Sequence, residues 1–220
     1  VTACMNGRWR SRPNAELGMQ APLPTAFHVT TPHGAIGLWW LQLSGAAREQ
    51  QRAEVRQQAA QILNRQFPAS SLGQIHWPPG AQHPPDLAYA AQSWHAPTSS
   101  PDLWLSWSYL PLPAGEPGQA LLAIGPLPLG VDVTAAGLLD EQGWAEVLQL
   151  YGGPAGASAS DTHACATRWA GIEAADKCLR TGLREWSQNI DLQRSRCTVQ
   201  ALPLPAPDLA AALAWRAPEV

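Results

Sequence analysis

Residues 130–133 read Gly-Val-Asp-Val, and residues 169–177 read Trp-Ala-Gly-Ile-Glu-Ala-Ala-Asp-Lys. These two stretches decide the fold. The first is an apolar strand with one acid inside it. Burying an isolated carboxylate is very costly, so Asp132 needs an ion pair, hydrogen bonds from backbone N–H groups at the strand end, or a metal ion. The second stretch is helical. Trp169, Glu173 and Lys177 recur every four residues and share one face over about two turns. Taken alone, Glu173 and Lys177 read as a solvated i,i+4 ion pair worth about 0.2–0.5 kcal/mol.

Working outward, Ser160 or Asp161 can cap the long helix, whose pattern runs to about Leu183. Gly152 to Gly156 is a flexible turn, and Asp140 to Leu150 forms a short helix before it. Ser195 to Leu202 reads as a last strand, with a marginal Ala/Pro-rich tail after it. On the other side of Asp132, Leu129 to Val133, Gln119 to Ile124 and Leu103 to Leu110 read as strands, as does the apolar, aromatic run Ile36 to Leu43. Ala46 to Phe67 is an amphipathic helix: Val55, Ala59, Ile62, Leu63 and Phe67 return at spacings of three and four, and Pro68 ends it. His76 to Pro101 is irregular and proline-rich. Residues 1–25 mix Arg, Asn, Gly and Pro without periodicity and read as a loosely ordered leader.

Composition narrows the function classes. The chain has 220 residues, a net charge of -3 and 14% charged residues, so an anionic ligand must be held by a few local cations. General nucleic-acid or membrane-surface binding needs a broad positive field, which this chain lacks. No apolar run is long enough to span a bilayer, and no signal peptide precedes the first polar stretch, so a cytoplasmic location is expected. The four cysteines, Cys4, Cys165, Cys178 and Cys197, have no zinc-ligand spacing. Cys165 and Cys178 fall in the helical pattern as small buried hydrophobes. The 11 tryptophans are irregularly spaced and read as packing residues, and the 21 prolines crowd the connections.

Taken in order, a G-[IV]-D strand, some forty residues, then W-[AS]-x-x-E-A-x-x-K on a helix resembles the signature of the 4'-phosphopantetheinyl transferases. Leu179 to Gly182 continues the match. Upstream, Leu105-Ser106-Trp107-Ser108 resembles the family's L-S-H-S strand, and Gln82-His83-Pro84 stands where its G-[KR]-P turn is expected. The ordered resemblance spans roughly residues 35–200. It implies an α+β fold of two similar halves, a pseudo-dimer with the active-site cleft between them. Residues 26–118 would form the N-terminal half, 119–205 the C-terminal half carrying the metal site, and 206–220 a tail. The densest Pro and Gly, at residues 112–126, mark the boundary.

The resemblance also implies a chemistry. Such enzymes move the phosphopantetheine arm of coenzyme A onto a serine of an acyl or peptidyl carrier protein, releasing adenosine 3',5'-bisphosphate. Asp132 and Glu173 would be the Mg2+ ligands, since Mg2+ takes few protein carboxylates and completes its shell with substrate oxygens and water. Lys177 would reach the phosphates as a point charge, and Glu173 or a metal-bound water would take the proton from the acceptor serine. Ser106, Trp107, Ser108, His83 and Arg52 (or Arg48) are the remaining candidates for gripping coenzyme A. The implied protein is a monomer with a carrier protein as transient partner.

Four positions depart from the family pattern. Thr134 stands where larger members carry a second acid, Ile172 where a lysine precedes the helix glutamate, Trp107 at the L-S-H-S histidine, and His83 at the turn cation. The last three changes subtract positive charge, and each lost charge-assisted hydrogen bond costs about 1.5–3 kcal/mol. The alternative to an active transferase is therefore a family member that has lost activity and serves as a carrier-protein or assembly binding module. A third alternative is an enzyme for another anionic thiol cofactor, with Trp107 stacking on its base.

Overall fold

In the computed structural model, residues 26–44, 47–67, 74–79, 102–110, 118–153 and 161–217 are described. They form two sheets packed face to face, with helices on both outer faces. The first sheet has five strands, β1 (Ala26–Thr31), β2 (Gly34–Leu43), β3 (Ile75–His76), β4 (Leu103–Leu110) and β5 (Gly118–Gly125), in the order β1-β2-β5-β4-β3. All its pairings are antiparallel except β3 with β4. The second sheet has three antiparallel strands, β6 (Leu129–Ala135), β7 (Thr198–Leu202) and β8 (Leu209–Trp215), in the order β6-β8-β7.

Strand periodicity explains the layers. On β2 and β5, Ile36, Leu38, Trp40, Leu121 and Ala123 face the second sheet, where they meet Val131, Val133, Ala211 and Leu213. The alternate residues Trp39, Leu41, Leu122 and Ile124 face α1 (Arg48–Gln66), which presents Val55, Ala59 and Leu63. Both faces are covered, so these strands read as continuous apolar runs instead of alternating ones. On the outer face of the second sheet lie α2 (Glu141–Gly152) and α3 (Thr162–Leu179), with α4 (Gln188–Arg194) packed on α3.

The approach of α3 to the second sheet is set by small residues. Ala212 and Ala214 of β8 meet Ala170, Ala174 and Ala175 of the helix. Gly130 of β6 is the closest point: a Cβ there would stand 2.1 Å from the Ala174 carbonyl oxygen and 2.5 Å from the Cys178 nitrogen. Only glycine fits, which gives the first residue of the Gly-Val-Asp motif a packing role.

Several elements differ from the expectations. Residues 209–215, placed in the marginal tail, form β8, the central and fully buried strand of the second sheet. Its alternation of alanines with Leu209, Leu213 and Trp215 suits one face to a helix and the other to a sheet. Strand β5, assigned to the C-terminal half, sits between β2 and β4 of the first sheet. The chain therefore crosses between sheets at residues 126–128, later than the 118/119 boundary, where Pro126 and Pro128 interrupt pairing. The long helix stops at Leu179 because Arg180 adopts a left-handed conformation (φ 58°) and returns its N–H to Asp176 and Lys177 carbonyls. The cap is Asp161, which accepts from the N–H groups of His163 and Ala164; Ser160 and the 1–25 leader lie outside the described residues. No helix among the described residues is long and apolar enough to cross a membrane.

Candidate active site

Strand β6 is an edge of its sheet, and β4 of the first sheet runs beside it. The edge is satisfied by side chains. The Val131 N–H donates to Ser106 Oγ at 3.1 Å, and Ser108 Oγ donates to Asp132 Oδ1 at 2.6 Å. From the other side α3 supplies Lys177, whose Nζ donates to Asp132 Oδ1 at 2.6 Å and to the Val131 carbonyl at 3.1 Å. Asp132 is 2% exposed. Its burial is thus tolerated by one cation and one hydroxyl on a single carboxylate oxygen.

Glu173 completes the group. Its Oε2 lies 3.9 Å from Lys177 Nζ, and its carboxyl is close enough to that of Asp132 to be shifted by it. Burial pushes the Glu173 pKa up to about 8, the adjacent Asp132 charge adds to the rise, and Lys177 opposes it. The physical content is a buried acid pair with one lysine: one negative charge is matched, and the second ionises only at a cost. A cation between the two carboxyls would remove that cost, so the donor set fits a hard divalent ion. Among the described residues no group of three or more His, Cys, Asp or Glu side chains could hold a metal. Two carboxylates suffice for Mg2+ when substrate oxygens and water fill the other positions.

The two motifs therefore meet in space through four residues of named roles: Asp132, Glu173, Lys177 and Ser108. Ser106 joins them through the backbone of Val131. Trp107 does not. Residues alternate along a strand, so Trp107 points to the opposite face of β4, where it packs on the α1-facing core with its ring 6.3 Å from that of Trp77. Arg52 is exposed on α1, across the first sheet from Asp132, beside Arg48, which sits 3.7 Å over the Tyr109 ring. His83 lies outside the described residues.

The helix face also divides. Four residues advance a helix by slightly more than one turn, so a stripe at this spacing drifts around the axis. Glu173 and Lys177 face β6, whereas Trp169 faces α2 with its ring 5.4 Å from Tyr151. Ile172 packs in the same cluster as Trp169, beside Trp144 and Leu148, as part of the α2–α3 contact. Thr134 is buried two residues beyond Asp132 on β6.

Two features were not visible in the sequence. Arg180 lies 4.5 Å over the Trp104 ring, on which His76 stacks at 3.9 Å, beyond the Lys177 end of the site. Asp176, an unremarked helix position, is 3% exposed and clasped by Arg194 through Nε at 2.8 Å and Nη2 at 2.7 Å. Neither had a local signal, because each pairs residues from distant elements. The sequence matches no protein-family model and no curated protein.

Proposed function

We propose that this chain is a divergent 4'-phosphopantetheinyl transferase that moves the phosphopantetheine arm of coenzyme A onto a serine of an acyl or peptidyl carrier protein. The observation that carries the reading is the convergence of Asp132 and Glu173, from separate elements, into one buried acid pair beside Lys177. The pseudo-dimer belongs to the same proposal. Its support is that each sheet covers one face with the other sheet and the second face with helices, although one sheet has five strands and the other three.

On this reading Asp132 and Glu173 hold Mg2+, which when bound neutralises pyrophosphate charge. Lys177, whose Nζ lies 2.6 Å from Asp132 Oδ1 and 3.9 Å from Glu173 Oε2, offers a point charge to a phosphate oxygen. Ser108 keeps Asp132 oriented through its 2.6 Å hydrogen bond. The ionised form of Glu173 is the candidate to accept the proton of the attacking serine hydroxyl. Because its pKa is raised to about 8, it holds its own proton in most molecules at neutral pH, and the role grows as pH rises toward that value. The hydroxyl oxygen forms the new bond to phosphorus, and adenosine 3',5'-bisphosphate leaves.

The test is incubation of the full chain with coenzyme A, Mg2+ and a panel of apo carrier proteins, read by intact mass. The expected result is a gain of one phosphopantetheine arm on a carrier, absent with Asp132→Asn. No gain on any carrier, together with no coenzyme A binding by calorimetry, overturns the reading.

A second reading is a binding module without catalysis. It is favoured by Lys177 already neutralising Asp132 and by Ile172 and Trp107 being spent on packing. It requires that Asp132→Ala and Glu173→Ala leave carrier binding intact.

A further inference from the structure

We propose that Cys178 and Cys197 form a redox-active dithiol, a site at which a peroxide closes a disulfide between the end of α3 and the start of β7. This goes beyond the transferase reading and stands without it. The placement rests on one carbonyl. Pro128 O accepts from Cys178 Sγ at 3.3 Å and from the Arg216 N–H at 3.1 Å. Thr198 pairs with Trp215, so the next residue outward on each strand brings Cys197 opposite Arg216. Cys178 and Cys197 are thereby held at the same corner. They share the alanine cluster of Ala170, Ala174, Ala212 and Ala214, with Cys197 packed against it, and each thiol shifts the pKa of the other.

The two thiols differ as an attacking and a resolving sulfur should. Cys178 is 2% exposed, whereas Cys197 is half-buried and sits in the short turn between α4 and β7. The neighbouring Cys178 thiol lowers the Cys197 pKa, and Arg216 adds to this while burial opposes it. Cys197 in turn, then burial, raises that of Cys178. The more acidic thiol at the more accessible position, beside a less acidic partner, is the arrangement of a peroxide-responsive pair. Cys165 is 1% exposed in a different cluster and is not part of it.

The chemistry balances in two steps. The Cys197 thiolate attacks hydrogen peroxide: an S–O bond forms, the O–O bond breaks, and hydroxide leaves with a proton as water. Cys178 sulfur then attacks the resulting sulfenic acid: S–S forms, S–O breaks, and the Cys178 proton departs with the hydroxide as a second water. Two thiols and one peroxide give one disulfide and two waters. The bridge ties α3 to β7 at the residue after Lys177.

The experiment uses the reduced full chain with one equivalent of hydrogen peroxide, followed by thiol alkylation, intact mass and peptide mapping. The expected product has lost two hydrogens, carries one cross-linked peptide joining Cys178 to Cys197, keeps Cys4 and Cys165 alkylated, and reverts with dithiothreitol. In Cys178→Ser, Cys197 stops at a sulfenic acid that dimedone traps. In Cys197→Ser, oxidation at position 178 is slowed at least tenfold. Absence of reaction in the native chain, a bridge to Cys4 or Cys165, a bridge between two chains, or a Cys197 sulfinic acid beside an alkylated Cys178 would each overturn the proposal; the mapping needs no variant to fold.

Discussion

Two buried aspartates of α3 and β6, Asp176 and Asp132, are 3% and 2% exposed, and they are satisfied in opposite ways. Asp176 is gripped on both oxygens by Arg194, which is itself 9% exposed. The same guanidinium donates to the carbonyls of Tyr151 and Arg184, joining α2, α3, α4 and the segment between them. Every charge there has a planar, bidentate partner, and nothing is left to attract a ligand. Asp132 has its partners crowded on Oδ1, a lysine that is 32% exposed in its side chain, and a second carboxyl at its side. The difference teaches where to look for chemistry: a buried acid fully matched is architecture, and one left in electrostatic conflict is a candidate site.

The largest expected effect breaks the matched pair. Arg194→Leu leaves Asp176 buried without its cation, and unfolding in urea should show a loss of about 3–5 kcal/mol. Next is Gly130→Ala, whose methyl meets the α3 backbone with nothing flexible to move. It should cost about 1–3 kcal/mol and weaken any ligand binding at Asp132, because α3 carries Glu173 and Lys177.

Ligand addition sharpens the contrast. Mg2+ at ten times its Kd should stabilise the chain by about 1.4 kcal/mol, seen as a rise in Tm, and should do nothing for Asp132→Asn. The pH dependence has a definite sign. Glu173 titrates near 8 in the folded chain against 4.5 as its ordinary value. The folded state therefore holds a proton that the unfolded state releases between those values. Its stabilising contribution is complete below about pH 4.5 and is lost as pH rises through about 8, so Glu173→Gln should flatten that slope in thermal melts. Mg2+ must displace the same proton, so its affinity should rise with pH and level off above about 8.

The smallest effect is the most telling. Asp132→Asn keeps an acceptor for Ser108 and removes the like charge beside Glu173, so stability should change by about 1 kcal/mol or less. A loss comparable to that of Arg194→Leu would make Asp132 a second structural ion pair and erase the distinction.

Much of the secondary structure was legible. The strand at 103–110 and the helix over Val55, Ala59 and Leu63 follow from periodicity, and Asp140 and Asp161 cap α2 and α3 through their side chains. Of the acid pair, Asp132 was legible from local chemistry, as a carboxylate inside an apolar strand that asks for a partner. Glu173 read locally as half of a surface ion pair and was joined to Asp132 only by the ordered resemblance. What failed was directional. Trp107 lies between two site serines in sequence and on the opposite face in space, since a strand reverses its side chains at every residue. Arg52 is similarly cut off by a whole sheet. Residues 209–215 looked marginal because an alanine-rich run with no charged alternation has no strand signature. It becomes a central strand only when a helix requires small residues on one side and a sheet requires large ones on the other.

By itself, then, the sequence determined that Asp132 is exceptional, because an acid inside an apolar strand is conspicuous, and the order of its motifs singled out Gly130, Glu173 and Lys177 beside it. Only the tertiary structure decided that Glu173 is buried beside Asp132, that Ser108 and Lys177 bond one oxygen, and that Asp176 belongs to Arg194. Those are contacts between elements distant along the chain, and the geometry that selects them exists only once the two sheets and α3 have closed on each other.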